Sequence, residues 1–356
     1  MAAALSRPPA VARVLQQVTS MARRHHMFES ATRALVAVSG GPDSVCLLHS
    51  LVRLKRLLRI EPVCFHFDHR LRRESEADAR YVRSQAERLG VPFVLREADS
   101  KPGRGESVEA WARAVRYEAL GGVMEELGGG AAAVGHTADD QAETVMIALL
   151  RGGGLEAIAG MSPVSRPIVR PLLETAREET VAFCRALRLR PRRDPMNDDP
   201  AFMRVAVRRR VIPDLERSLG RNVRETLART ADLLRLDAEF LDRLAAAALP
   251  SVAEEDGLDS LLRAGPLADL APSLAGRLVR RILLEQGIVP EASHIGAVVA
   301  LAGARPGTAI SLPGALKAKR ERGYVRVSRP SPGTRPSGRA PRRARARRGD
   351  AGERSN

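Results

Sequence analysis

The stretch "ALVAVSGGPDSVCLLHSL", residues 34–51, decides the fold prediction. An apolar run ends at Ser39, two glycines follow, and an amphipathic segment begins at Pro42. This order predicts a buried strand, a tight turn and a helix. The helix should pack against a sheet through an apolar stripe at helical spacing, formed by Leu47, Leu51, Leu54 and Leu58.

The turn itself has the features of an anion-binding site. Gly40 and Gly41 let the backbone come close to a ligand, and Ser39 and Ser44 add hydroxyl donors. Pro42 suits the first helical turn, because its missing N–H would be unpaired there anyway. An ordinary β–α turn would need only the glycines and the proline, so the local pattern leaves both interpretations open.

Asp43 is the residue that distinguishes this loop from a Walker loop, in which a lysine follows the last glycine. A carboxylate beside a polyphosphate is favourable mainly when Mg²⁺ lies between them, so Asp43 is predicted to bind Mg²⁺. The loop therefore predicts a reaction in which the α-phosphate of a nucleotide is attacked and pyrophosphate leaves, rather than transfer of the γ-phosphate.

Strands alternate with helices along the first half of the chain. Four further segments predict strands, at 62–68, 91–97, 131–136 and 168–173, and helical patterns lie at 45–58, 74–89, 107–120 and 139–151. This alternation predicts an α/β fold, a Rossmann-like open parallel sheet with helices on both faces. Ligands of such sheets bind beyond the carboxyl ends of the strands, where the glycine turn lies.

The composition changes along the chain and suggests four segments. Residues 1–29 lack acidic residues until Glu29 and resemble a transit peptide, but their helical periodicity favours a structural N-terminal helix. Residues 30–215 form the predicted catalytic domain. Residues 216–328 predict a smaller, mainly helical domain with a short β element at 309–313 and 323–328, and residues 329–356 predict a disordered arginine-rich tail.

Charge and cysteine content narrow the class of protein. The formal net charge is +16, of which the tail contributes +7, so the remainder of the chain is basic as well. This predicts an anionic partner, most often nucleic acid, although an arginine-rich genome would also raise the charge. The three cysteines form no CxxC pair, which argues against a disulfide scaffold, a zinc ribbon or an iron–sulfur cluster. No apolar run reaches roughly 18 residues, so we expect a cytoplasmic protein without a membrane partner.

The loop resembles the SGGxDS loop of the N-type ATP-pyrophosphatase, or PP-loop, superfamily. Further motifs look like the successive signatures of the tRNA(Ile)-lysidine synthetase family. They are "HFDHRLR" (66–72), "EAWARAVRYEAL" (109–120), "GHTADDQAETVMIALLRGGGLEAIAGM" (135–161), "RPLL" (170–173) and "DPMNDDPAFMRVAVRRRVIPDLE" (194–216). The resemblance covers about residues 30–216, and the long 135–161 segment is its most specific part.

The resemblance implies an ATP-dependent carbon–nitrogen ligase that modifies tRNA. Members of this family join L-lysine to C2 of the wobble cytidine of tRNA(Ile) with a CAU anticodon, which changes its identity from methionine to isoleucine. The cytosine O2 attacks the α-phosphate of ATP and releases pyrophosphate, and the lysine amine then displaces AMP. The implied cofactors are ATP and Mg²⁺, the implied partners are this tRNA and L-lysine, and a homodimer is compatible with the sequence.

The resemblance also assigns roles to a pair of carboxylates. Asp140 and Glu143 lie three residues apart and therefore share one face of a helix whose apolar residues predict that it is largely buried. Buried carboxylates need a partner, and the lysine substrate would supply one. A capping box between Thr137 and Asp140 is the alternative, but it leaves Glu143 unexplained. His136 either contacts the nucleotide or hydrogen-bonds the turn.

Several basic residues complete the predicted site. Arg113 and Arg116 share a helix face, where they either contact phosphate or substrate or form a solvated surface. His66 is predicted to support the nucleotide pocket. Arg204, Arg208, Arg209 and Arg210 are expected to close over the reaction or to grip the tRNA backbone, and Asn197 is carried over with Arg204. The catalytic set is therefore Asp43, Asp140, Glu143, Arg113 and Arg204, and the nucleotide-binding set is Ser39, Gly40, Gly41, Pro42, Asp43, Ser44, His66 and His136.

Two other functions fit parts of the sequence. A PP-loop enzyme that 2-thiolates cytidine also acts through an adenylate, but it needs paired cysteines, and the three scattered cysteines make this less favourable. A non-catalytic RNA-binding module would explain the charge. The intact Ser39, Asp43 and Ser44 and the carboxylate pair argue against lost catalysis.

Overall fold

The computed structural model describes residues 8–29, 32–71, 75–103, 105, 107–192, 203–257 and 259–329. The chain divides into two compact units, Met1–Ala238 and Glu239–Asn356. The boundary falls within a long helix, Val223–Val252. The predicted tail beyond Arg329 lies outside the described residues.

A mixed but mainly parallel sheet organises the first unit. Its strands are β1 (Arg33–Ala37), β2 (Glu61–Asp68), β3 (Phe93–Glu97), β4 (Ala131–Ala133), β5 (Val164–Ser165) and β6 (Ile168–Val169). Their order in the sheet is β3-β2-β1-β4-β6-β5. The pairs from β3 to β6 are parallel, and β5 is an antiparallel edge strand. The predicted parallel sheet is confirmed.

Helices cover both faces of this sheet. In chain order they are α1 (Pro9–Arg24), α2 (Pro42–Leu58), α3 (Ser75–Leu89), α4 (Val108–Glu126), α5 (Ala138–Leu150), α6 (Leu155–Ile158), α7 (Arg177–Ala186), α8 (Met203–Ala206), α9 (Ile212–Leu219) and α10 (Val223–Val252), with a π-helical turn at Val207–Val211 between α8 and α9. Alternate residues of β1 face opposite sides. Ala34 and Val36 join the core formed with α1, α2 and α7, whereas Leu35 joins the core formed with α4.

Helix α2 begins as its sequence predicts. Gly41 is the N-cap residue in an extended conformation, and Pro42 occupies the first turn. The helix buries Val45, Leu47, Leu48 and Leu51 completely against the sheet. This packing fixes the N-terminus of α2, and the loop before it, relative to the end of β1.

The strand order places a ligand crevice at the end of β1. The chain passes from β1 outward to β2 and β3 and then returns to β4 on the other side of β1. Loops that follow β1 and β4 therefore diverge at adjacent carboxyl ends, which is where open α/β sheets bind ligands. Gly40 has φ +96°, a backbone conformation that favours glycine. A Cβ on Gly135 would lie 3.1 Å from the Ser44 nitrogen, so glycine at 135 allows the loop after β4 to approach α2 closely.

The second unit combines helices with an antiparallel sheet. Its strands are β7 (Ala253–Asp256), β8 (Asp259–Arg263), β9 (Ala309–Ser311), β10 (Lys317–Arg320) and β11 (Tyr324–Ser328), in the order β7-β8-β11-β10-β9. Its helices are α11 (Ala264–Asp269), α12 (Pro272–Glu285) and α13 (Ala292–Leu301). Leu262, Leu267, Leu283 and Val325 lie in one buried core between them.

The sequence underestimated the β content of this unit and misjudged two local features. The predicted strands at 309–313 and 323–328 correspond to β9 and β11, but β7, β8 and β10 were missed. In the first unit the strand predicted over 168–173 ends at Val169. Helix α5 is less buried than predicted, because Leu149 and Leu150 are exposed near its C-terminus. Among the described residues, no helix has both the length and the apolar character required to cross a membrane.

Replacing Leu48 with alanine tests the packing of α2. Leu48 is fully buried in the core, so Leu48→Ala should lower the free energy of unfolding by about 2–5 kcal/mol. Leu57 lies on the same helix but is 51% exposed, and Leu57→Ala should change it by less than about 0.5 kcal/mol. Denaturant titration measures both. Equal losses in the two variants would contradict the packing of α2 described above.

Candidate active site

A cavity of ≈ 1210 Å³ opens at the carboxyl ends of β1, β2 and β4. Every residue of the predicted catalytic and nucleotide-binding sets, apart from Gly40 and Glu143, contributes to its lining. Those two residues lie just behind the lining, within the loop and on α5. Further cavity residues include Asp68, Arg116, Arg177, Arg192 and Arg208.

The two serines of the glycine turn hold the loop in shape. The Ser44 hydroxyl donates to the Gly41 carbonyl at 3.0 Å and accepts from the Ser39 amide at 3.2 Å. The Ser39 hydroxyl lies 3.2 Å from the Ser44 hydroxyl oxygen. The first N–H groups of α2 have no partners within the helix, as in other anion sites at helix N-termini. The turn thus combines a rigid backbone with donors that suit phosphate oxygens.

Asp43 lies in the first turn of α2 and is held by two residues of α7. Its carboxylate accepts hydrogen bonds from the Thr180 hydroxyl and, at 3.2 Å, from Arg177 Nε. Burial raises the pKa of Asp43, and Arg177 and Thr180 oppose that rise. These two contacts therefore favour the ionised form of the carboxylate.

Asp140 forms the capping box of α5 and also contacts a cation. Its Oδ2 accepts from the amide and hydroxyl of Thr137 at 2.9 and 2.8 Å, so the capping interaction is present. Its Oδ1 accepts from Arg177 Nη2 at 2.9 Å. Burial acts to raise the pKa of Asp140, but Arg177, His136 and the Thr137 hydrogen bonds outweigh burial and lower it. Capping uses one oxygen and leaves the other facing the cavity.

Glu143 lies one turn further along α5 and is held by two arginines. Arg208 donates to its two oxygens at 2.6 and 3.0 Å, and Arg204 Nε lies 3.2 Å away. Only 2% of the Glu143 side chain is exposed. Burial raises the pKa of Glu143 despite Arg208. The partners that a buried carboxylate requires are therefore arginines of this chain.

The π-helical turn aligns the arginines that reach Glu143. Arg204 and Arg208 are four residues apart and share one face, whereas Arg209 and Arg210 are exposed. Val207 and Ile212 pack against Ala142 and Met146 of α5, which fixes this segment beside the carboxylates. Of the four arginines at 204, 208, 209 and 210, Arg204 and Arg208 thus lie at the site. Asn197 lies outside the described residues.

Arg177 is the central residue that the sequence reasoning missed. Its guanidinium contacts Asp43, Asp140 and Glu143, and its backbone N–H donates to Asp139 Oδ2 at 2.8 Å. Its one local signal is an arginine at the first position of a helix, where the helix dipole disfavours a cation. That signal does not indicate which carboxylates the arginine contacts.

Burial lowers the pKa of both predicted histidines, which favours their neutral forms. The ring of His66 is buried and its Nδ1 lies 2.7 Å from the Val38 carbonyl, so this nitrogen carries the proton. The Nδ1 of His136 accepts from Arg170 Nε at 3.2 Å, which leaves the proton on Nε2. Burial and nearby arginines lower the pKa of His136 to about 3. The hydrogen bond of His136 is thus made with Arg170 rather than with the turn, and His136 also lines the cavity.

Arg113 and Arg116 lie on α4 at the cavity wall. Their guanidinium groups stand 5.0 and 5.6 Å from the ring centre of Tyr117. Arg113 is exposed, whereas Arg116 is partly buried. Both arginines therefore stand where phosphate groups entering the cavity would meet positive charge.

The described residues contain no cluster of three or more His, Cys, Asp or Glu side chains arranged for a metal ion. A magnesium ion bound with a nucleotide needs fewer protein ligands, because phosphates and waters fill most positions. Asp43, whose carboxylate lines the cavity beside the phosphate-type loop, has the chemistry for such a site. The residues around Asp43 thus fit a Mg²⁺ ion that is bound with a nucleotide and do not fit a metal ion that is held by protein ligands alone.

Thr180→Val tests how Asp43 is kept ionised. The variant removes a hydrogen bond that lowers the pKa of Asp43, so this pKa should rise above that of the wild type. As the pH falls, Asp43 would then become protonated at a higher pH than in the wild type. A ¹³C NMR titration of the Asp43 carboxyl measures the change. Thr226→Val, at an exposed hydroxyl on α10, is the control, and an unchanged Asp43 pKa in Thr180→Val would contradict the role of Thr180.

Two family models match the chain in its two parts. The model of the PP-loop domain, an ATP-binding family, matches residues 10–215, which include the loop at the end of β1 and the whole cavity described above. The model described as the TilS substrate binding domain matches residues 262–326. The first match covers more than half of the chain.

The comparison with solved structures agrees on the fold. The U34-tRNA thiolase NcsA from Methanococcus maripaludis aligns with a TM-score of 0.53 at 16% sequence identity. The alignment covers 64% of this chain and 80% of the thiolase. At this identity the similarity shows a shared PP-loop ATPase architecture and no more.

Curated relatives extend the match across most of the chain. The tRNA(Ile)-lysidine synthase of Salinispora tropica is 41% identical over 313 residues, covering 85% of this chain and 93% of the relative. The enzymes of the same name from Mycolicibacterium paratuberculosis and Geobacillus kaustophilus are 40% and 33% identical, covering 80% and 85% of this chain and 83% and 68% of the relatives. The chain therefore belongs to the tRNA(Ile)-lysidine synthase family of PP-loop, ligase-type enzymes.

Proposed function

We propose that this chain joins L-lysine to C2 of the wobble cytidine of tRNA(Ile) with a CAU anticodon, using ATP and releasing pyrophosphate and AMP. The observation that carries the proposal is the buried pair Asp140 and Glu143 in the same site as the phosphate-type loop. The guanidinium of Arg177 contacts both the carboxylate pair and Asp43 of the loop. A nucleotide and a cationic amino acid would thus bind side by side.

The nucleotide end of the site is the turn of residues 39–44. Its backbone amides and the N-terminus of α2 would hold the phosphates, and His66 would line the nucleotide pocket from β2. Asp43 would hold Mg²⁺, which supplies positive charge to the phosphate oxygens when bound. A lysine in the loop is not needed for pyrophosphate to leave, because arginines line the rest of the cavity.

The amino-acid end is formed by Asp140 and Glu143. Asp140 has a lowered pKa and stays ionised, which suits binding of the lysine ammonium. Glu143 has a raised pKa, so it accepts a proton more readily than an ordinary carboxylate. His136 is a poor base, because its pKa is lowered to about 3. We assign Asp140 to binding the lysine and Glu143 to taking a proton from its amine before attack at C2.

The tRNA would contact the basic residues around the cavity. Arg113 and Arg116 stand at its wall, and Arg204 reaches Glu143 from α8. The charge of +16 over the chain favours a polyanionic partner through counterion release. The second unit carries the substrate-binding match at residues 262–326, and it would bind another part of the same tRNA.

Cytidine thiolation is the competing activity within this superfamily, and the cysteines weigh against it. Cys46, Cys64 and Cys184 are all buried, and burial is the main cause of the raised pKa of each thiol. A raised pKa disfavours the thiolate that sulfur transfer or cluster binding requires. An RNA-binding module without catalysis would have no need for two buried carboxylates beside a nucleotide site.

Two further assignments accompany the proposal. We place the reaction in the cytoplasm, where ATP and tRNA meet and cysteines remain reduced. We also infer a homodimer, because α10 exposes Leu233, Leu236 and Phe240 at helical spacing, with 62, 61 and 52% of each residue accessible.

Formation of AMP tests the proposed function directly. Wild-type protein with Mg-ATP, L-lysine and the tRNA(Ile) transcript bearing CAU should release AMP, and mass spectrometry of the tRNA should find lysine on the wobble cytidine. A transcript with uridine at the wobble position is the control and should yield neither product. Absence of AMP with the cognate transcript would overturn the proposal.

Glu143→Gln should separate the two chemical steps. The amide keeps an acceptor for Arg208 but accepts no proton, so pyrophosphate release should persist while lysine transfer falls about 100-fold or more. Glu118→Gln, at an exposed position on α4, should behave as the wild type. Separate assays of pyrophosphate and of lysine incorporation measure the steps. Normal lysine transfer in Glu143→Gln would remove Glu143 from the reaction.

A further inference from the structure

Arg177 occupies a position that is locally unfavourable for a cation. It is the first residue of α7, and Ala176 before it supplies no side-chain cap. A helix N-terminus carries partial positive charge, so an arginine there is disfavoured relative to an acidic or neutral residue. The carboxylates that it meets must therefore offset this cost.

The three nitrogens of the Arg177 guanidinium face three different carboxylates. Nε lies 3.2 Å from Asp43 Oδ2, Nη2 lies 2.9 Å from Asp140 Oδ1, and Nη1 lies 3.7 Å from Glu143 Oε1. Asp43 belongs to α2 at the nucleotide end, and the other two belong to α5 at the amino-acid end. A single rigid group thus connects both ends of the site.

The other partners of these carboxylates do not connect the two ends. Glu143 is also held by Arg204 and Arg208, and Asp140 is also held by Thr137 and, at 3.7 Å, by Arg208 Nη2. Asp43 has the Thr180 hydroxyl, and among the described residues Arg177 is the cation that pairs with it. Only 25% of the Arg177 side chain is exposed, so solvent screens these charges weakly.

We propose that Arg177 is a positioning residue that couples nucleotide binding to lysine binding. In the structure its guanidinium occupies the place of a cation at both ends. The polyphosphate of the nucleotide offers this guanidinium a stronger anionic partner and draws it away from Asp140 and Glu143. The pair then lacks one positive charge and binds the lysine ammonium more tightly. This coupling rests on the proposed function, since it takes Asp140 and Glu143 as the lysine site.

Coupling of this kind is measured as the ratio between the affinities for lysine with and without the nucleotide. A purely structural arginine would change lysine binding by the same factor with and without nucleotide. A coupling arginine changes the two affinities by different factors, because linkage between sites is a difference between states. The full chain can be tested without turnover by using Mg²⁺ with α,β-methylene-ATP, which cannot release pyrophosphate.

Isothermal titration of L-lysine into the full chain, with and without Mg-α,β-methylene-ATP, measures the coupling. In the wild type the analogue should lower the Kd for lysine about 10-fold. In Arg177→Gln this change should fall below about twofold, because no guanidinium remains to be moved. Arg190→Gln removes the same charge at an exposed position outside the cavity and should keep the wild-type coupling.

Arg177→Lys guards against failure of the glutamine variant to fold. It keeps the positive charge, but one ammonium cannot face three carboxylates as the planar guanidinium does. Its coupling should also fall below about twofold while its circular dichroism matches the wild type.

A 10-fold coupling that survives in a folded Arg177 variant would overturn the inference, as would a wild type with no coupling, with negative coupling, or without lysine binding. The AMP assay is independent of this result. A wild type that makes AMP but shows no coupling leaves the proposed function standing, whereas a wild type that makes no AMP removes the proposed function itself.

Discussion

Three carboxylates, those of the buried Asp140 and Glu143 and the partly buried Asp43, share one guanidinium in this protein, and the arrangement of the first unit follows from bringing them together. Asp43 comes after β1, and Asp140 and Glu143 come after β4. They meet because β1 and β4 are hydrogen-bonded parallel neighbours at the point where the strand order reverses. Helix α7 packs against α1 and α2 through Phe183 and places Arg177 between the two groups.

Charge balance explains how so many ionisable groups can be buried in one place. The three carboxylates of Asp43, Asp140 and Glu143 are matched by the three guanidiniums of Arg177, Arg204 and Arg208. Removing one member would leave an unpaired buried charge, which costs far more than the pair contributes. The environments nevertheless differ, since the pKa is lowered at Asp140 and raised at Asp43 and Glu143. Such separation of pKa values is typical of groups with different tasks in one site.

Local patterns predicted much of the fold and failed for short strands whose residues carry little strand propensity. Helix α2 and strands β1 and β2 were predicted because their apolar residues recur at a clear period over many residues. Strands β7, β8 and β10 are short and carry charged residues, such as Glu254 and Lys317, that gave no strand signal. β7 and β8 form a hairpin, β10 pairs with its neighbours β9 and β11, and β8 also pairs with the more distant β11. Cross-strand pairing and packing on the shared core, rather than intrinsic propensity, make these segments strands.

The sequence by itself determined the phosphate-type turn, the glycines that its geometry requires, and the carboxylate pair on α5, because each depends on residues within a few positions of one another. It also suggested the capping box of Thr137 and Asp140, which the structure contains. Only the tertiary structure decided which cations hold those carboxylates. Arg177 is 134 residues from Asp43, and Arg208 is 65 residues from Glu143. Ion pairs at such separations arise from strand order and helix packing, and no local period in the chain records them.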